Sequence, residues 1–505
     1  MRSSSCLTAL LAATAFAAPI EENPTTHSRS KRQLKLFGIE LDKQIAWSAL
    51  AAKPSLLTAL VPLFKANYNK QDGHFIGTPE ALPAYQALIE LMGANKTDAG
   101  AFPTRYKQAF ERTPYGRTDP PPEAASIPRQ QELESETKIP GAKAIKIRYG
   151  PYRVPSATTM MFNQRYGMLE NFPETDFDKP CSGDCTIIGM RQSLEYADGK
   201  QANTNNGLWL HHSVIFAIGE GREDTTCLNE PFSMGHIAVN TTHFRSERIF
   251  STGNERTDAV FPDMGVTDAG YKIRAQDKFA LLLELMNETA KDETVYFTMI
   301  WDILDGHPLP HDVQLIHHDI RNCGTSEVNP PEGQSKFTLN STWVSTIDAE
   351  VIGILGHIHD GATDSTIHVD DKLACNSEAT YGGSPAYISS AMSAMPGMGN
   401  MNMTGDMTMK HISRISPCGQ SKGLEVKEIK KGQKLTLSAN YDFGKWPGMK
   451  EPDGSWDQVM GLNSCYVRQE TGQVSNVTAT TGSGQNIVVV VVDRTPKESE
   501  INFAF

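Results

Sequence analysis

The chain has 505 residues, too many for one ordinary hydrophobic core, so its length predicts two or three domains. The formal net charge is -12 at pH 7, with 47 Lys and Arg residues against 59 Asp and Glu residues and no long basic run. This charge balance argues against a nucleic-acid partner.

The N-terminal segment is typical of an exported protein. Residues 1–18 combine one arginine, an apolar stretch and small residues at the end, as a cleaved signal peptide does. Residues 19–32 form a propeptide-like segment ending in the dibasic pair Lys31-Arg32, for which an ordinary surface pair is an equal alternative. No stretch reaches about 18 uninterrupted apolar residues. We therefore expect a secreted, extracellular protein with no transmembrane segment.

Cysteines and glycosylation sequons fit that compartment. Of 8 cysteines, Cys6 would leave with the signal peptide, so most of the remainder should pair and one should be left over. The N-x-[ST] sequons expected in a secreted glycoprotein are Asn95, Asn240, Asn287, Asn340, Asn402 and Asn476.

Residues 33–118 are expected to form a small helical N-terminal region. Residues 45–63 are rich in Ala and Leu, and residues 83–92 read as a short helix with a proline in its first turn and a glycine just after it. Residues 119–143 contain Pro-Pro-Pro-Glu and scattered polar residues, a linker composition.

From about residue 144 the chain consists of short runs rich in Val, Ile, Tyr and Thr, broken by Gly, Pro, Asn and Asp. Residues 435–443 alternate between apolar and polar, which predicts a strand with one buried face, and residues 487–492 predict a buried strand. The fold class we predict is mainly β, with two antiparallel jelly-roll-like β-sandwiches in tandem. The first would span 144–332 and the second 333–505.

Two histidine pairs are candidate metal ligands. His357 and His359 are two apart in a predicted strand, so both imidazoles should lie on the same face, as two ligands of one metal must. His211 and His212 are adjacent, so binding one metal through both would need a bulge or a strand end. Taken singly, the pair at 357 and 359 is better explained by surface or core histidines satisfied by hydrogen bonds, and the adjacent pair by one buried and one exposed histidine.

Methionines add a soft donor to this set. Met460 by itself would be a core residue, but a thioether beside imidazoles suits copper cycling between Cu(II) and Cu(I). Residues 392–409 are rich in methionine, and we expect a flexible loop that captures Cu(I); a flexible glycosylated loop is an equal alternative. Its methionines are Met392, Met395, Met398, Met401, Met403, Met407 and Met409.

The order of these motifs, first HH, then HxH, then Met, resembles the copper type II, ascorbate-dependent monooxygenases, the family of peptidylglycine α-hydroxylating monooxygenase and dopamine β-monooxygenase. The resemblance covers about residues 144–470 and includes the texture of LWLHHSVIF, GILGHIHDG and DQVMGLNSCY. The segment Ser251–Thr257, STGNERT, is similar to one in a divergent, fungal-type secreted branch of that family.

The resemblance implies two copper sites. His357, His359 and Met460 would bind the catalytic, oxygen-binding copper in the second sandwich. His211 and His212 would bind an electron-transfer copper in the first. At the position of that site's third histidine ligand this chain has Met286, which would either favour Cu(I) or be a core residue beside an empty site.

The function implied by the resemblance is a secreted, copper-dependent oxidoreductase that hydroxylates a C–H bond of a small molecule or peptide, using dioxygen and a reductant such as ascorbate. The alternative is a non-catalytic copper- or glycan-binding protein on the same scaffold. A glycosidase or amidase would need two facing carboxylates, which sequence cannot pair. Residues 317–319, His-His-Asp, are expected in a solvated loop; an incidental metal site formed with the nearby His307 and His311 is the alternative.

Overall fold

The computed structural model describes residues 34–36, 39–41, 110–161, 165–228, 233–321, 323, 326–390, 408–450, 454–468, 475–480 and 486–491. The predicted signal and propeptide segments, the helices expected at 45–63 and 83–92, and most of the methionine-rich segment lie outside these residues. Within the described part of the chain, no helix is long and apolar enough to cross a membrane.

Strands dominate both halves of the chain, which confirms the expected mainly β fold. The strands of the N-terminal half are β1 (Leu34–Leu36), β2 (Ile39–Leu41), β3 (Gly116–Arg117), β4 (Gln130–Glu134), β5 (Lys143–Val154), β6 (Met168–Phe177), β7 (Cys185–Tyr196), β8 (Leu208–Ile218), β9 (Ser246–Gly253), β10 (Ala259–Val260), β11 (Ala269–Ile273), β12 (Lys278–Asn287) and β13 (Glu293–Asp305).

The strands of the C-terminal half are β14 (His311–Asp319), β15 (Glu327–Val328), β16 (Lys336–Val344), β17 (Ala349–Ile358), β18 (Ala362–Val369), β19 (Lys372–Tyr381), β20 (Ile388–Ser390), β21 (Thr408–Lys410), β22 (Ile412–Ile415), β23 (Cys418–Gly419), β24 (Glu428–Ile429), β25 (Lys434–Asp442), β26 (Val459–Arg468), β27 (Ser475–Thr480) and β28 (Asn486–Val491). The short helical segments are the α-helix α1 (Met234–Ala238) and the 3-10 turns Pro122–Ser126, Thr204–Asn206, Thr225–Cys227 and Pro385–Tyr387.

One sheet of 13 strands runs through both halves, in the order β23-β17-β26-β14-β11-β7-β13-β5-β3 along its main path. The halves join where β11 and β14 pair in parallel, with Ala269 opposite His311. A four-stranded sheet, β6-β12-β8-β9, completes the N-terminal half, and a five-stranded sheet, β16-β25-β18-β19-β22, completes the C-terminal half.

Two hydrophobic cores fill the spaces between these layers. The first contains Trp301 and Phe297 of β13, and the second contains Leu437 and Tyr441 of β25. Residues on β25 alternate between buried and more exposed, as the sequence pattern predicts. Leu355 of β17 belongs to the first core, so the long sheet serves both cores.

The boundary expected between residues 332 and 333 falls after β14 and β15, and both of these strands pair with β26. The two halves therefore share a backbone sheet rather than meeting only through side chains.

Three disulfides link Cys181 to Cys185, Cys227 to Cys323, and Cys375 to Cys418. Cys465 is the free cysteine of the described residues; it is buried, and burial raises the pKa of its thiol to about 12. The expectation of mostly paired cysteines with one left over is confirmed.

The side chain of Asn287, in one of the predicted glycosylation sequons, is buried and hydrogen-bonded within the fold. Asn287 is 1% exposed, and its side-chain amide donates to the carbonyl of Lys291 while its Oδ1 accepts from the backbone N–H of Thr289. A glycan cannot be attached there without opening the end of β12.

The prediction that the His-His-Asp segment lies in a solvated loop is wrong. His317, His318 and Asp319 form the last residues of β14 and are almost fully buried. Pairing with β26 explains this, because it places the segment inside the long sheet. The His317 Nδ1 lies 2.7 Å from a guanidinium nitrogen of Arg248.

Candidate metal centre

A β-bulge on β8 turns two adjacent histidines toward the same carboxylate. His212 pairs with Glu284 of β12, but the next pair along is Leu210 with Leu285, so His211 is the extra residue. The Nδ1 of His211 lies 3.0 Å from one Glu284 carboxylate oxygen, and that of His212 lies 3.6 Å from the other. In a regular strand these two imidazoles would point to opposite faces.

The second pair lies at the end of β17. His357 lies within β17, and His359 is the first residue after this strand. The two residues are 5% and 9% exposed. The Nδ1 of His357 lies 3.0 Å from each carboxylate oxygen of Glu255. The Nδ1 of His359 donates to the carbonyl of Gln458 at 2.9 Å.

The two pairs meet in one cluster. The Nε2 atoms of His212 and His359 are 2.8 Å apart, and ring centroids are 4.8 Å apart for His211 and His359 and 5.0 Å for His212 and His357. The resemblance implied two separate sites, one in each half. The structure places the two pairs next to each other, where His212 on β8 of the four-stranded sheet meets His359 after β17 of the long sheet.

Hydrogen bonding at Nδ1 leaves Nε2 as the ring nitrogen through which His211, His357 and His359 could bind a metal. A carboxylate or a carbonyl only accepts, so Nδ1 carries a hydrogen in His211, His357 and His359, and Nε2 has a lone pair whenever the ring is neutral. Acceptors behind the Nδ1 atoms are the usual partners of metal-binding histidines.

Two observations then fit a metal ion. The facing Nε2 atoms of His212 and His359 would repel each other at 2.8 Å unless a cation or proton lay between them. The Nε2 of His357 is buried and has no hydrogen-bond partner within the described part of the chain. The residues present therefore fit a metal bound through imidazole nitrogens.

Glu327 adds a carboxylate to this cluster. It lies on β15, and one of its oxygens is 4.0 Å from the Nδ1 of His211 and 4.0 Å from that of His212. One possible ligand atom from each of His211, His212, Glu327 and His359 lies within 4.8 Å of all the others.

Charges in the cluster are strongly coupled. Burial would lower the pKa of His211, but the hydrogen bond and charge of Glu284 outweigh it and raise that pKa to about 9. Burial, followed by the neighbouring charge of His211, lowers the pKa of His212 to about 4. Burial and the Glu284 charge raise the pKa of Glu327 to about 8. A second charge of either sign is therefore costly here unless a partner neutralises it.

The STGNERT segment supports His357 from behind. Glu255 accepts hydrogen bonds from the Thr252 hydroxyl at 2.7 Å and from the Gly253 N–H at 3.1 Å, while its carboxylate faces His357. A Cβ at Gly253 would collide with the His357 ring and with the carbonyl of His211. Only glycine fits between the two histidine pairs.

The two methionines predicted as ligands have different surroundings. Met286 is 8% exposed and packs with Met168 and Trp209, while on the same strand Glu284 faces the imidazoles. Met460 pairs with Glu327 across β15 and β26, and its backbone N–H lies 3.1 Å from the Tyr441 hydroxyl.

The Tyr441 hydroxyl also accepts from the backbone N–H of His359 at 3.1 Å. The structure thus brings the backbone of Met460 close to that of His359.

Sequence reasoning missed the carboxylates at positions 255, 284 and 327. Each is a single glutamate on a different element, so no local spacing connects them to a histidine. The one available signal was the STGNERT segment, which contains Glu255.

A cavity of about 30 Å³ adjoins the cluster. Its walls include His211, His357 and His359 on one side and the apolar side chains of Trp209 and Ile412 on another. Trp209 is held by an edge-to-face contact with His411, whose Nδ1 lies 2.6 Å from a carboxylate oxygen of Asp360. The cavity therefore brings apolar and imidazole side chains together at one small opening.

No family model matches the chain. Among solved structures, it is similar to PNGF-II, with a TM-score of 0.28, 10% identity and coverage of 65% of this chain and 59% of that one. It is also similar to PNGase F, a glycosylasparaginase from Flavobacterium meningosepticum, with a TM-score of 0.27, 12% identity and coverage of 65% and 96%. TM-scores this low do not establish a shared fold.

Two curated proteins are similar in sequence. The chain is 27% identical over 333 residues to the probable copper-dependent oxygenase M1 of Phoma sp., covering 66% of this chain and 74% of that protein. It is 27% identical over 289 residues to the probable copper-dependent oxygenase clz3 of Cochliobolus lunatus, covering 57% and 81%. Both relatives are named as probable copper-dependent oxygenases.

Proposed function

We propose that this protein is a secreted copper-dependent oxygenase that hydroxylates a C–H bond, with a reductant such as ascorbate. The observation that carries the proposal is the clustering of four imidazoles, His211, His212, His357 and His359, from two sheets, with possible ligand atoms of His211, His212 and His359 within 4.8 Å of one another. Imidazole ligands suit copper, and the names of the two relatives point to the same metal.

Bound copper would supply the one-electron chemistry that dioxygen reduction needs, with one oxygen atom entering the C–H bond and the other leaving as water. Ascorbate would provide the two electrons and two protons of that balance. The chain's own residues hold the imidazoles: Glu284, Glu255 and the Gln458 carbonyl fix the Nδ1 hydrogens and so the ring orientations. Burial keeps bulk water away from the reacting centre.

The cavity beside the cluster is the proposed position of the substrate. Its lining combines Trp209 and Ile412 with the imidazoles of His357 and His359, so an apolar C–H group that approaches there would lie beside the cluster. The resemblance adds Met460 as a thioether ligand, and the proximity of its backbone to that of His359 supports this part of the proposal.

Copper content tests whether there is one site or two. The double variants His211→Ala/His212→Ala and His357→Ala/His359→Ala should each abolish the same copper, because one ion uses both pairs. Copper would be measured per chain after dialysis, with His307→Ala/His368→Ala as the matched control. Retention of half the copper in each double variant would instead show that the two histidine pairs bind two separate ions.

Turnover separates an oxygenase from a non-catalytic copper-binding or glycan-binding protein. The copper-loaded protein should consume oxygen when ascorbate is added, and the His357→Ala/His359→Ala variant should do so only at the rate of the buffer. Copper binding without any reductant-dependent oxygen consumption would favour the non-catalytic alternative.

Secretion is a separate part of the proposal. Three disulfides in the described residues fit folding in an oxidising compartment. Expression of the full chain in a secreting host should give a protein in the medium whose N-terminus lies at residue 19 or at Gln33. Retention in the cell with Met1 intact would contradict it.

A further inference from the structure

Glu327 reaches the imidazole cluster from a strand of only two residues. β15 pairs with the start of β26, with Glu327 opposite Met460 and Val328 opposite Val459. This short pairing places the Glu327 carboxylate beside the histidines of β8, 4.0 Å from each Nδ1. The side chain is 14% exposed, so it lies in a largely water-free environment.

The distances suit an oxygen ligand. Two ligands of one metal, each about 2.0–2.2 Å from the ion, lie at most about 4.4 Å apart. The atoms offered by His211, His212, Glu327 and His359 lie within 4.8 Å of one another, so a contraction of a few tenths of an ångström would bring them into one coordination sphere.

The other carboxylates of the cluster have different tasks. Glu284 faces the Nδ1 atoms of both β8 histidines, and Glu255 faces that of His357, so each orients an imidazole from behind. Glu327 is the carboxylate that falls within the compact group of possible ligand atoms. Orientation and ligation are thus divided among three glutamates.

We propose that Glu327 is a direct ligand of the copper, so that the site combines imidazole nitrogens with one carboxylate oxygen. This inference rests on the proposed function, since it concerns the same metal. A hard, anionic oxygen donor favours Cu(II) over Cu(I), in contrast to a thioether. Glu327 and Met460, opposite each other across β15 and β26, then bias the two oxidation states in opposite directions.

The test compares Glu327→Gln, which keeps the shape and removes the charge, with Met460→Leu. Affinities for Cu(II) and for Cu(I) would be measured by competition with chelators, together with the Cu(II) EPR spectrum. Glu327→Gln should lose about tenfold or more in Cu(II) affinity, lose little Cu(I) affinity, and change the EPR hyperfine splitting. Met460→Leu should lose Cu(I) affinity first.

Glu350→Gln is the matched control, because Glu350 pairs with Arg468 at the other end of β17 and should leave both affinities unchanged. Unchanged Cu(II) affinity and EPR spectrum in Glu327→Gln would overturn the ligand assignment, as would equal losses for both oxidation states. If the wild-type protein binds no copper, the proposed function fails as well. Should Glu327→Gln not fold, Glu327→Asp, with a shorter reach, should show the same selective loss.

Discussion

At the scale of single residues, the carboxylate of Glu284 faces two imidazoles at once. Its two oxygens face the Nδ1 atoms of His211 and His212, and the side chain is only 2% exposed. Burial would raise the pKa of this carboxyl, but the two histidines lower it well below its usual value, so the group stays anionic. The anion holds the Nδ1 hydrogen of His211 at 3.0 Å and attracts the Nδ1 side of His212 at 3.6 Å, so both rings are oriented by it.

Glu284→Gln should therefore weaken copper binding by about 10- to 100-fold, because an amide cannot accept both Nδ1–H groups equally well. Copper affinity would be measured by chelator competition, with the remote Glu350→Gln as control. The oxidation-state preference should change less than in Glu327→Gln, since Glu284 is not itself a ligand. Wild-type affinity in Glu284→Gln would show that the imidazoles need no such support.

A second residue-scale effect lies at His318, away from the imidazole cluster. Burial lowers the pKa of His318 from 6.5 to about 3. Between these values the unfolded chain binds a proton and the folded chain does not, so the free energy of unfolding falls as the pH falls. One such group contributes a slope on the order of 1 kcal/mol per pH unit.

His318→Gln keeps a nitrogen for the Ser341 hydroxyl, which lies 2.8 Å from the His318 Nε2, but cannot titrate. Urea unfolding of the metal-free protein at pH 6 and pH 5 should show a shallower pH dependence in this variant. His368→Gln, at a half-buried position on β18, is the control for the histidine-to-glutamine substitution itself. An unchanged slope in His318→Gln would mean that other groups govern the acid sensitivity.

At the scale of elements, the end of β9 separates the two histidine pairs. Gly253 has His357 on one side and the backbone of His211 on the other, with no room for a Cβ. Gly253→Ala should displace one pair and lower copper affinity about tenfold or more, as a shifted support does. Gly183→Ala, where a Cβ meets no described atom within 4 Å, should bind copper normally.

Copper affinity tests this prediction, because the two variants add the same methyl group, one at a crowded position and one at an open position. Equal affinities in Gly253→Ala and Gly183→Ala would show that the turn tolerates a side chain. Selective loss would assign the turn of the STGNERT segment a role in spacing the ligands.

Elements also explain which parts of the site could be predicted from sequence. His357 and His359 lie two apart, so their proximity follows from the period of a strand. The bulge at His211 could not be predicted, because it depends on the register between β8 and β12. Glu255, Glu284 and Glu327 come from a turn and two strands far apart in sequence, and no local pattern relates them.

At the scale of the whole molecule, the number of short strands predicts a β protein, but not that its halves share a sheet. The parallel contact between β11 and β14 involves only two residue pairs, Ala269 with His311 and Gly270 with Asp312. No periodicity marks so short a pairing. This contact, with the antiparallel pairing of β14 and β26, makes one continuous sheet, and His211 and His212 meet the end of its strand β17 from β8 of the four-stranded sheet.

A site built from both halves couples their stabilities. Copper that binds only the folded cluster should raise the free energy of unfolding by about 2.7 kcal/mol when free copper is 100 times its Kd. Because β8 and β17 both contribute ligands, amide hydrogen exchange should slow in both strands on copper addition. The His357→Ala/His359→Ala variant should show neither change. Protection confined to β8 or to β17 would contradict a shared ion and point back to one metal site in each half.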